Sequence, residues 1–285
     1  MKADNPSLIG VDLGGTKVAA GKVTGTTLTK QVLEKLDQSS QDPMDAVEII
    51  ARLIRKLMDD RVGGIGVGVP GLVDRQSGTV YDVLNIPNWK EIPLGSILEE
   101  RFGIPVHIDN DSNCFAMGEY RYGTFSGHQD FVGITLGTGM GAGIVKNGKL
   151  IPDAHCCSGE FGTISYLDGI FEHYTGSFFF SRTYGKSGEE MAAAAARRDS
   201  KALKAFEEYG GHLGNAIKTI IMAVDPPLVI IGGSLAKAHS YYEEAMWRSI
   251  GAIPFPSVLD NFRVRFTDTK NIAILGAAAL CPDAS

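Results

Sequence analysis

IGVDLGGTKVAAGKVTG at residues 9–25 and VGITLGTGMGAGIVKNG at residues 132–148 are one phrase written twice. Each reads as an apolar strand, a glycine-rich turn and an apolar return strand. At an offset of 123 (Gly14 onto Gly137) they share the Leu-Gly turn, the flanking β-branched residues and a closing glycine. The repetition implies an internal duplication, with one such hairpin in each half. Turns of this kind let backbone N–H groups approach an anion closely, because no Cβ stands in the way. The chain is therefore expected to hold phosphates with two related domains.

Around these hairpins, apolar periodicity alternates between strand and helix. Asp42 as cap and Pro43 as first residue start a helix whose Val47, Ile50, Ala51, Ile54, Leu57 and Met58 form one apolar stripe. A strand is expected over 65–69, a helix over 94–102, and a short strand over 105–108 that ends in the polar cluster 109–113. The segment 189–224 reads as mostly helical and feeds a buried strand over 228–231. Strands alternating with helices indicate α/β layers.

The 285 residues suit two domains of ordinary size. Hydrophobic residues at 44% and charged residues at 21% are those of a globular chain rather than a disordered one. A net charge of −6, with no basic run longer than Arg197-Arg198, argues against nucleic acid as partner. The apolar runs at 228–231 and 272–280 fall far short of the roughly 20 residues that span a bilayer. The N-terminus passes into the first strand too soon for a cleavable signal, so no membrane contact and a cytoplasmic location are expected. Cys114, Cys156, Cys157 and Cys281 include no CxxC, and free thiols are the expectation.

Three stretches carry the chemistry. Asp12 ends the first strand directly before Gly14, Gly15, Thr16 and Lys17; its carboxylate could orient a hydrated Mg²⁺ while the turn amides face phosphate oxygens. GVGVPG at 66–71 matches the dinucleotide fingerprint, but the residues after Gly71 are turn sequence and not a helix start, so a nicotinamide site is rejected. The cluster Asp109-Asn110-Asp111-Ser112-Asn113 must supply a helix cap, and it holds more polar residues than a cap needs. A carboxylate there can accept a proton from a substrate hydroxyl, as alcohol phosphorylation requires.

In order, DLGGTK (12–17), GVGVPG (66–71), N-x-P-x-W (Asn85, Pro87, Trp89), NDSN (110–113), LGTGMGAG (136–143), SGEFG (158–162), the E-x-x-x-G from Glu172 to Gly176 and DPPLVIIGGS (225–234) resemble the ROK family of sugar kinases. The resemblance runs from about residue 8 to 280. It implies the actin-like ATPase (ribonuclease H-like) fold: two duplicated α/β domains with a cleft between them. The smaller would cover 1–112 with the C-terminal helix at about 272–285, and the larger 113–271. It implies an ATP-dependent hexose kinase, acting on glucose at the 6-hydroxyl. Fructose, mannose, N-acetylmannosamine and N-acetylglucosamine stand as alternative acceptors, and polyphosphate as an alternative donor. A non-catalytic sugar-binding regulator is the remote alternative: a repressor is set aside because Asp12 leaves no room for a preceding helix-turn-helix, and a binding protein without turnover because Asp12 and Asp111 are both retained. By the same resemblance Asp111 is the general base, and Gly71, Asn85, Asn110, Asp111, Glu160 and Glu172 contact the sugar. Asp12, Gly14, Gly15, Thr16, Lys17, Gly137, Thr138 and Gly139 surround the phosphates and Mg²⁺, Gly232 and Gly233 lie against the adenosine, and a homodimer is implied.

The chain departs from the family pattern at one place. Many ROK members carry a histidine after the GE-x-G segment and a cysteine-rich stretch that together bind zinc. Here Thr163 replaces the histidine and 165–171 replace the cysteines, so no zinc is expected. Phe178-Phe179-Phe180 is too apolar to be left in water and reads as core, with a dimer contact as the next reading. Gly210, Gly211 and Gly214 within a helix suggest close approach by another backbone or by the nucleotide.

Overall fold

The computed structural model describes residues 6–282 apart from 38, 84, 85 and 87. The chain divides into two compact units: Met1–His128 with Gly148–Ser158 and Thr269–Ser285, and Gln129–Asn147 with Gly159–Asp268. Its elements begin with β1 (Ser7–Leu13), β2 (Lys17–Thr24), β3 (Thr27–Lys35), α1 (Pro43–Arg55), β4 (Val62–Val69), β5 (Leu72–Asp74), β6 (Thr79–Tyr81) and β7 (Glu91–Ile92). Next come α2 (Leu94–Phe102), β8 (Val106–Asn110), α3 (Asp111–Tyr122), β9 (Phe131–Leu136), β10 (Met140–Lys146), β11 (Lys149–Leu150), β12 (Ser165–Tyr166) and β13 (Gly169–Ile170). The remainder is α4 (Glu172–Thr175), α5 (Phe178–Tyr184), α6 (Gly188–Ala196), α7 (Ser200–Val224), β14 (Leu228–Gly232), α8 (Glu243–Ile250), β15 (Arg263–Phe266) and α9 (Ile272–Ala278).

In the first unit the strands run in the order β3-β2-β1-β4-β8. β1 pairs with β2 antiparallel and with β4 parallel. Ile9, Val11, Leu13, Val18 and Ala20 are fully buried and pack with Val47, Ile50, Leu53 and Ile54 of α1. Each such Val, Leu or Ile side chain stabilises the unit by about 1.5–3 kcal/mol relative to exposure. α1 begins where the sequence indicates: the Asp42 side chain accepts from the Met44 amide at 2.8 Å, and Pro43 is the first helical residue.

The opposite face of this sheet is closed by α9, and glycine makes the closure possible. A Cβ on Gly66 would stand 1.8 Å from the Ala277 carbonyl oxygen, and one on Gly10 1.9 Å from that of Ile274. Helix backbone thus lies directly on strand backbone. Of the glycines of GVGVPG, Gly66 is set by this packing, whereas Gly68 faces Cys114 of α3 and Gly71 the Tyr81 carbonyl, so none opens a dinucleotide turn. Residues 113–128 lie in the first unit, past the expected division at 112, because α3 packs along α9 and over β4.

The second unit repeats the scheme with strand order β10-β9-β14-β15. β9 pairs with β10 antiparallel and with β14 parallel, and β14 with β15 parallel. The two homologous hairpins therefore occupy corresponding places in their sheets. The helical stretch expected over 189–224 is two helices, interrupted where Arg198 takes a positive φ of 61° and Asp199 caps α7 by accepting from the Ala202 amide. Gly210 and Gly214 admit the α8 segment: a Cβ on either would lie 2.4 Å from the carbonyl oxygen of Tyr242 or Met246. Their partner is protein backbone, one of the two readings open from sequence; Gly211 has nothing within 4 Å of its Cβ position. Phe179 and Phe180 are core, packed with Phe206 and Tyr209, whereas Phe178 is exposed. No helix among the described residues is long and apolar enough to cross a membrane.

Candidate functional site

In the first unit the candidate residues gather at the C-terminal ends of β1, β4 and β8. The β1–β2 hairpin closes with Leu13 opposite Val18, and the Gly14 amide donates to the Lys17 carbonyl at 2.9 Å. Gly14 and Gly15 are half-buried, and Thr16 and Lys17 are exposed. Asp12, half-buried at the base of this turn, has its carboxyl pushed up to about 6. Burial is the main cause, the charge of Asp111 adds to it, and Lys17 opposes both. Two carboxylates in one field, with a lysine as counterion, form an unsatisfied demand for positive charge.

Asp111 opens α3, and the preceding residue sets its orientation. Asn110 is the helix cap: its side-chain oxygen accepts from the Ser112 amide at 2.8 Å, while its Nδ2 donates to the Gly71 carbonyl at 3.0 Å. Gly71, at φ 104°, is held where a Cβ would meet the Tyr81 carbonyl at 2.9 Å. The structure thus brings Gly71, Asn110 and Asp111 together. Asp111 is exposed, and its carboxyl is nonetheless raised, chiefly by loss of hydration to the surrounding protein, against the hydrogen bonds of Ser112. Exposure makes it reachable by substrate; the raised pKa makes it a better proton acceptor than an ordinary carboxylate.

Beneath this loop lies a feature that the sequence reading did not single out. Asp109 is buried; its Oδ1 accepts from the Asn110 amide and from Asn113 Nδ2 at 2.7 and 2.8 Å, and its Oδ2 lies 3.2 Å from Arg75 Nε. Arg75 also donates to Asp153 Oδ2 at 2.7 Å and to the Ile151 carbonyl at 3.1 Å. This ion triad anchors the end of β8 from which Asp111 projects. Its members are 34 and 78 residues from Arg75 (109 − 75 and 153 − 75), and no local pattern in the sequence links them.

In the second unit the turn at 137–139 is tighter. Leu136 pairs with Met140, and the Gly137 amide donates to the Gly139 carbonyl at 3.0 Å. The segment 172–177 wraps it: Glu172 Oε2 accepts from the Met140 amide at 3.3 Å and the Ser177 amide donates to the Gly137 carbonyl at 2.8 Å. A Cβ on Gly139 would be 2.0 Å from Glu172 Oε2, and one on Gly176 2.3 Å from the Thr138 carbonyl. Glu160 is set by Gly159 and Gly162, whose Cβ positions lie 2.1 and 2.3 Å from the carbonyls of Ala142 and Met140 on β10. Gly233, at φ 95°, abuts the Leu136 carbonyl, and Gly232 pairs with Thr135. The structure so gathers Gly137, Thr138, Gly139, Gly232, Gly233, Glu160 and Glu172 around one end of β9.

Asn85, a sugar contact implied by the resemblance, lies outside the described residues with Pro87; Trp89 of the same motif is buried in the core. Among the described residues there is no group of three or more His, Cys, Asp or Glu placed to hold a metal. Thr163 is exposed, and the replacement for the cysteine-rich stretch is the β12–β13 hairpin, with Tyr166 stacked on Phe171.

The family model of the ROK family matches residues 8–284. A glucokinase from Halalkalibacterium halodurans is 28% identical, covering 93% of this chain and 91% of its own length. An N-acetyl-D-glucosamine kinase from Escherichia coli is 32% identical, covering 80% of this chain and 84% of its own length. In structure, the chain is similar to a ROK family glucokinase from Streptomyces griseus in complex with glucose and AMPPNP, with a TM-score of 0.82 at 26% identity over 96% of this chain and 99% of that one. The fold is accordingly the actin-like ATPase fold of two α/β domains.

Proposed function

This chain belongs to the ROK family, and from that premise we propose that it transfers the terminal phosphoryl group of ATP to the 6-hydroxyl of glucose. It is a sugar kinase of the glucokinase type. The observation that supports the chemistry most directly is the pair Asp12 and Asp111, at the end of β1 and the start of α3, where the charge of Asp111 adds to burial in raising the Asp12 carboxyl. Phosphoryl transfer needs little covalent help from protein, so orientation of the hydroxyl and neutralisation of charge carry the rate.

In this reading Asp111 accepts the proton of the attacking hydroxyl. Asn110, Gly71, Glu160 and Glu172, with Asn85, hold the other hydroxyls of the ring. Gly14, Gly15, Thr16 and Lys17 and the turn at 137–139 take the phosphates, where backbone N–H groups and the Lys17 ammonium offset their charge. Gly232 and Gly233, at the end of β14 against the start of the turn at 137–139, would lie beside the adenosine. The residues present fit Mg²⁺: this ion needs only one or two carboxylates beside substrate oxygens and water, and Asp12 at about 6 is a carboxylate in want of a cation. Asp12 would hold it through water, and the ion would neutralise the phosphate oxygens.

A net charge of −6 favours ATP over polyphosphate as donor, and ATP as donor fits a cytoplasmic location. A homodimer belongs to the same reading, checked by sedimentation. N-acetylglucosamine is the second acceptor to test, because the Escherichia coli relative at 32% identity is named for it. An ATP-consumption assay across glucose, mannose, fructose, N-acetylglucosamine and N-acetylmannosamine, repeated with polyphosphate, decides among them. Turnover of none of these sugars by either donor removes the kinase reading.

A further inference from the structure

We infer that Tyr166 is a positioning residue for the hexose site: its hydroxyl pins the excursion between Glu160 and Glu172 to α7 and so fixes where those two carboxylates stand. The inference rests on the reading of Glu160 and Glu172 as hexose contacts.

Besides Tyr166, the excursion 161–171 is held by the short β12–β13 pairing and by Asp168, which accepts from Tyr174 at its own base. Thr163, Ile164 and Ser165 are exposed on one side of Tyr166, and Leu167 and Asp168 on the other, with Leu167 at 70% exposure and a positive φ of 52°. Tyr166 alone of these six turns inward. Its ring stacks on Phe171 at 4.3 Å and meets Tyr174 edge-on at 5.3 Å. Its hydroxyl reaches two side chains one turn apart on α7, His212 Nδ1 at 3.1 Å and Asn215 Nδ2 at 3.0 Å.

One donor pattern satisfies the bonds of this cluster. Asn215 Nδ2 also donates to the Gly211 carbonyl at 3.0 Å, which fixes that atom as nitrogen. Tyr166 Oη therefore accepts from Asn215, and in this pattern its own hydrogen goes to His212 Nδ1. In this pattern His212 carries its proton on Nε2, which faces Glu208 Oε1 at 3.8 Å, and burial, which lowers its pKa, favours the neutral ring. The downstream flank is fixed as well: Tyr174 donates to Asp168 and carries the Arg182 guanidinium over its ring at 4.7 Å, and Tyr209 Oη donates to the Thr175 carbonyl at 2.7 Å. Between these anchors, α4 presents Glu172 to the turn at 139–140. Releasing Tyr166 frees the hairpin while leaving the hydrophobic core of the unit in place.

The test substitutes the hydroxyl and keeps the ring. In Tyr166→Phe the hexose KM is expected to rise about tenfold, since small misplacements of binding groups are costly. The ATP KM and the melting temperature should stay within about twofold and about 2 °C of the parent. Amide hydrogen exchange over 161–175, read without any substrate, should accelerate about tenfold. His212→Ala should act in the same direction, His212→Gln, which keeps an acceptor, should restore part of the loss, and Tyr166→Phe with His212→Ala should be no worse than either alone. Unchanged exchange would show that the hydroxyl pins nothing. Faster exchange with an unchanged hexose KM would show that the pinned segment does not place the glutamates, and an equal rise in both KM values would reduce the effect to general loosening. A parent chain inactive on every hexose overturns the kinase reading and the positioning role with it, and is told apart because it is measured before any substitution.

Discussion

The two glycine turns share a hairpin and differ in where their charge comes from. At 12–17 the ionisable groups, Asp12 and Lys17, are part of the turn's own sequence; at the equivalent positions of the second copy stand Thr135 and Met140. The second turn is served instead by Glu172, brought in from α4 to accept from the Met140 amide. The first turn is also open, with Thr16 and Lys17 exposed, whereas residues 172–177 wrap the second. Duplication thus preserved the backbone device, and each copy takes its carboxylate from a different place, its own strand in the first and α4 in the second.

The largest test of that asymmetry is Asp111→Asn, which removes the carboxylate coupled to the first turn. Turnover is expected to fall roughly 10²–10⁴-fold with ATP affinity nearly unchanged, measured by steady-state kinetics and calorimetry. A matching loss of ATP affinity would mean that Asp111 serves the nucleotide instead of the hydroxyl. Next in size is the contrast between Gly139→Ala and Gly14→Ala. The first drives a methyl to 2.0 Å from Glu172 Oε2, while the second meets only the Lys17 carbonyl at 3.3 Å. An about tenfold or greater loss of kcat/KM for hexose is expected from the first and a smaller one from the second, as overpacking costs typically about 1–3 kcal/mol. Equal losses would erase the distinction between a wrapped and an open turn.

A smaller effect concerns stability. Asp12 holds its proton more tightly folded than unfolded, so its contribution favours folding at acid pH and is lost as pH rises from the ordinary 3.8 through about 6. Asp12→Asn should therefore stabilise the protein at pH 7 by at most about 3 kcal/mol, less to the extent that water screens the half-buried carboxylate. Urea denaturation from pH 4 to 7 reads this directly; a parent curve without that fall would deny the coupling. Smallest is the effect of Asp111→Asn on Asp12 itself, whose titration, followed by NMR, should move down from about 6 once the neighbouring negative charge is gone.

Both hairpins, the capped start of α1 at Asp42-Pro43 and the capping cluster before α3 were legible because each is a short-range pattern with one physical solution. The motif at 66–71 was legible only as an exclusion: its first glycine, Gly66, is needed for the Ala277 carbonyl, a contact more than two hundred residues away in sequence. The break at 197–199 was hidden because no Gly or Pro marks it; Arg198 takes the left-handed conformation instead. For the same reason of distance, neither Arg75–Asp109–Asp153 nor Tyr166–His212–Asn215 could be read from spacing. Each joins residues with ordinary surface chemistry, and only tertiary packing makes them partners.

Because α9 lies on the bare backbone of β1 and β4, the sheet that emerges first from a ribosome lacks its cover until the whole of the second unit has been translated. The nascent N-terminal half must wait with one apolar side open, for roughly 10–40 s at about 5–20 residues per second. Chaperone demand during synthesis should thus fall on this half, and a chain stalled ahead of α9 should be the species that proteases clear.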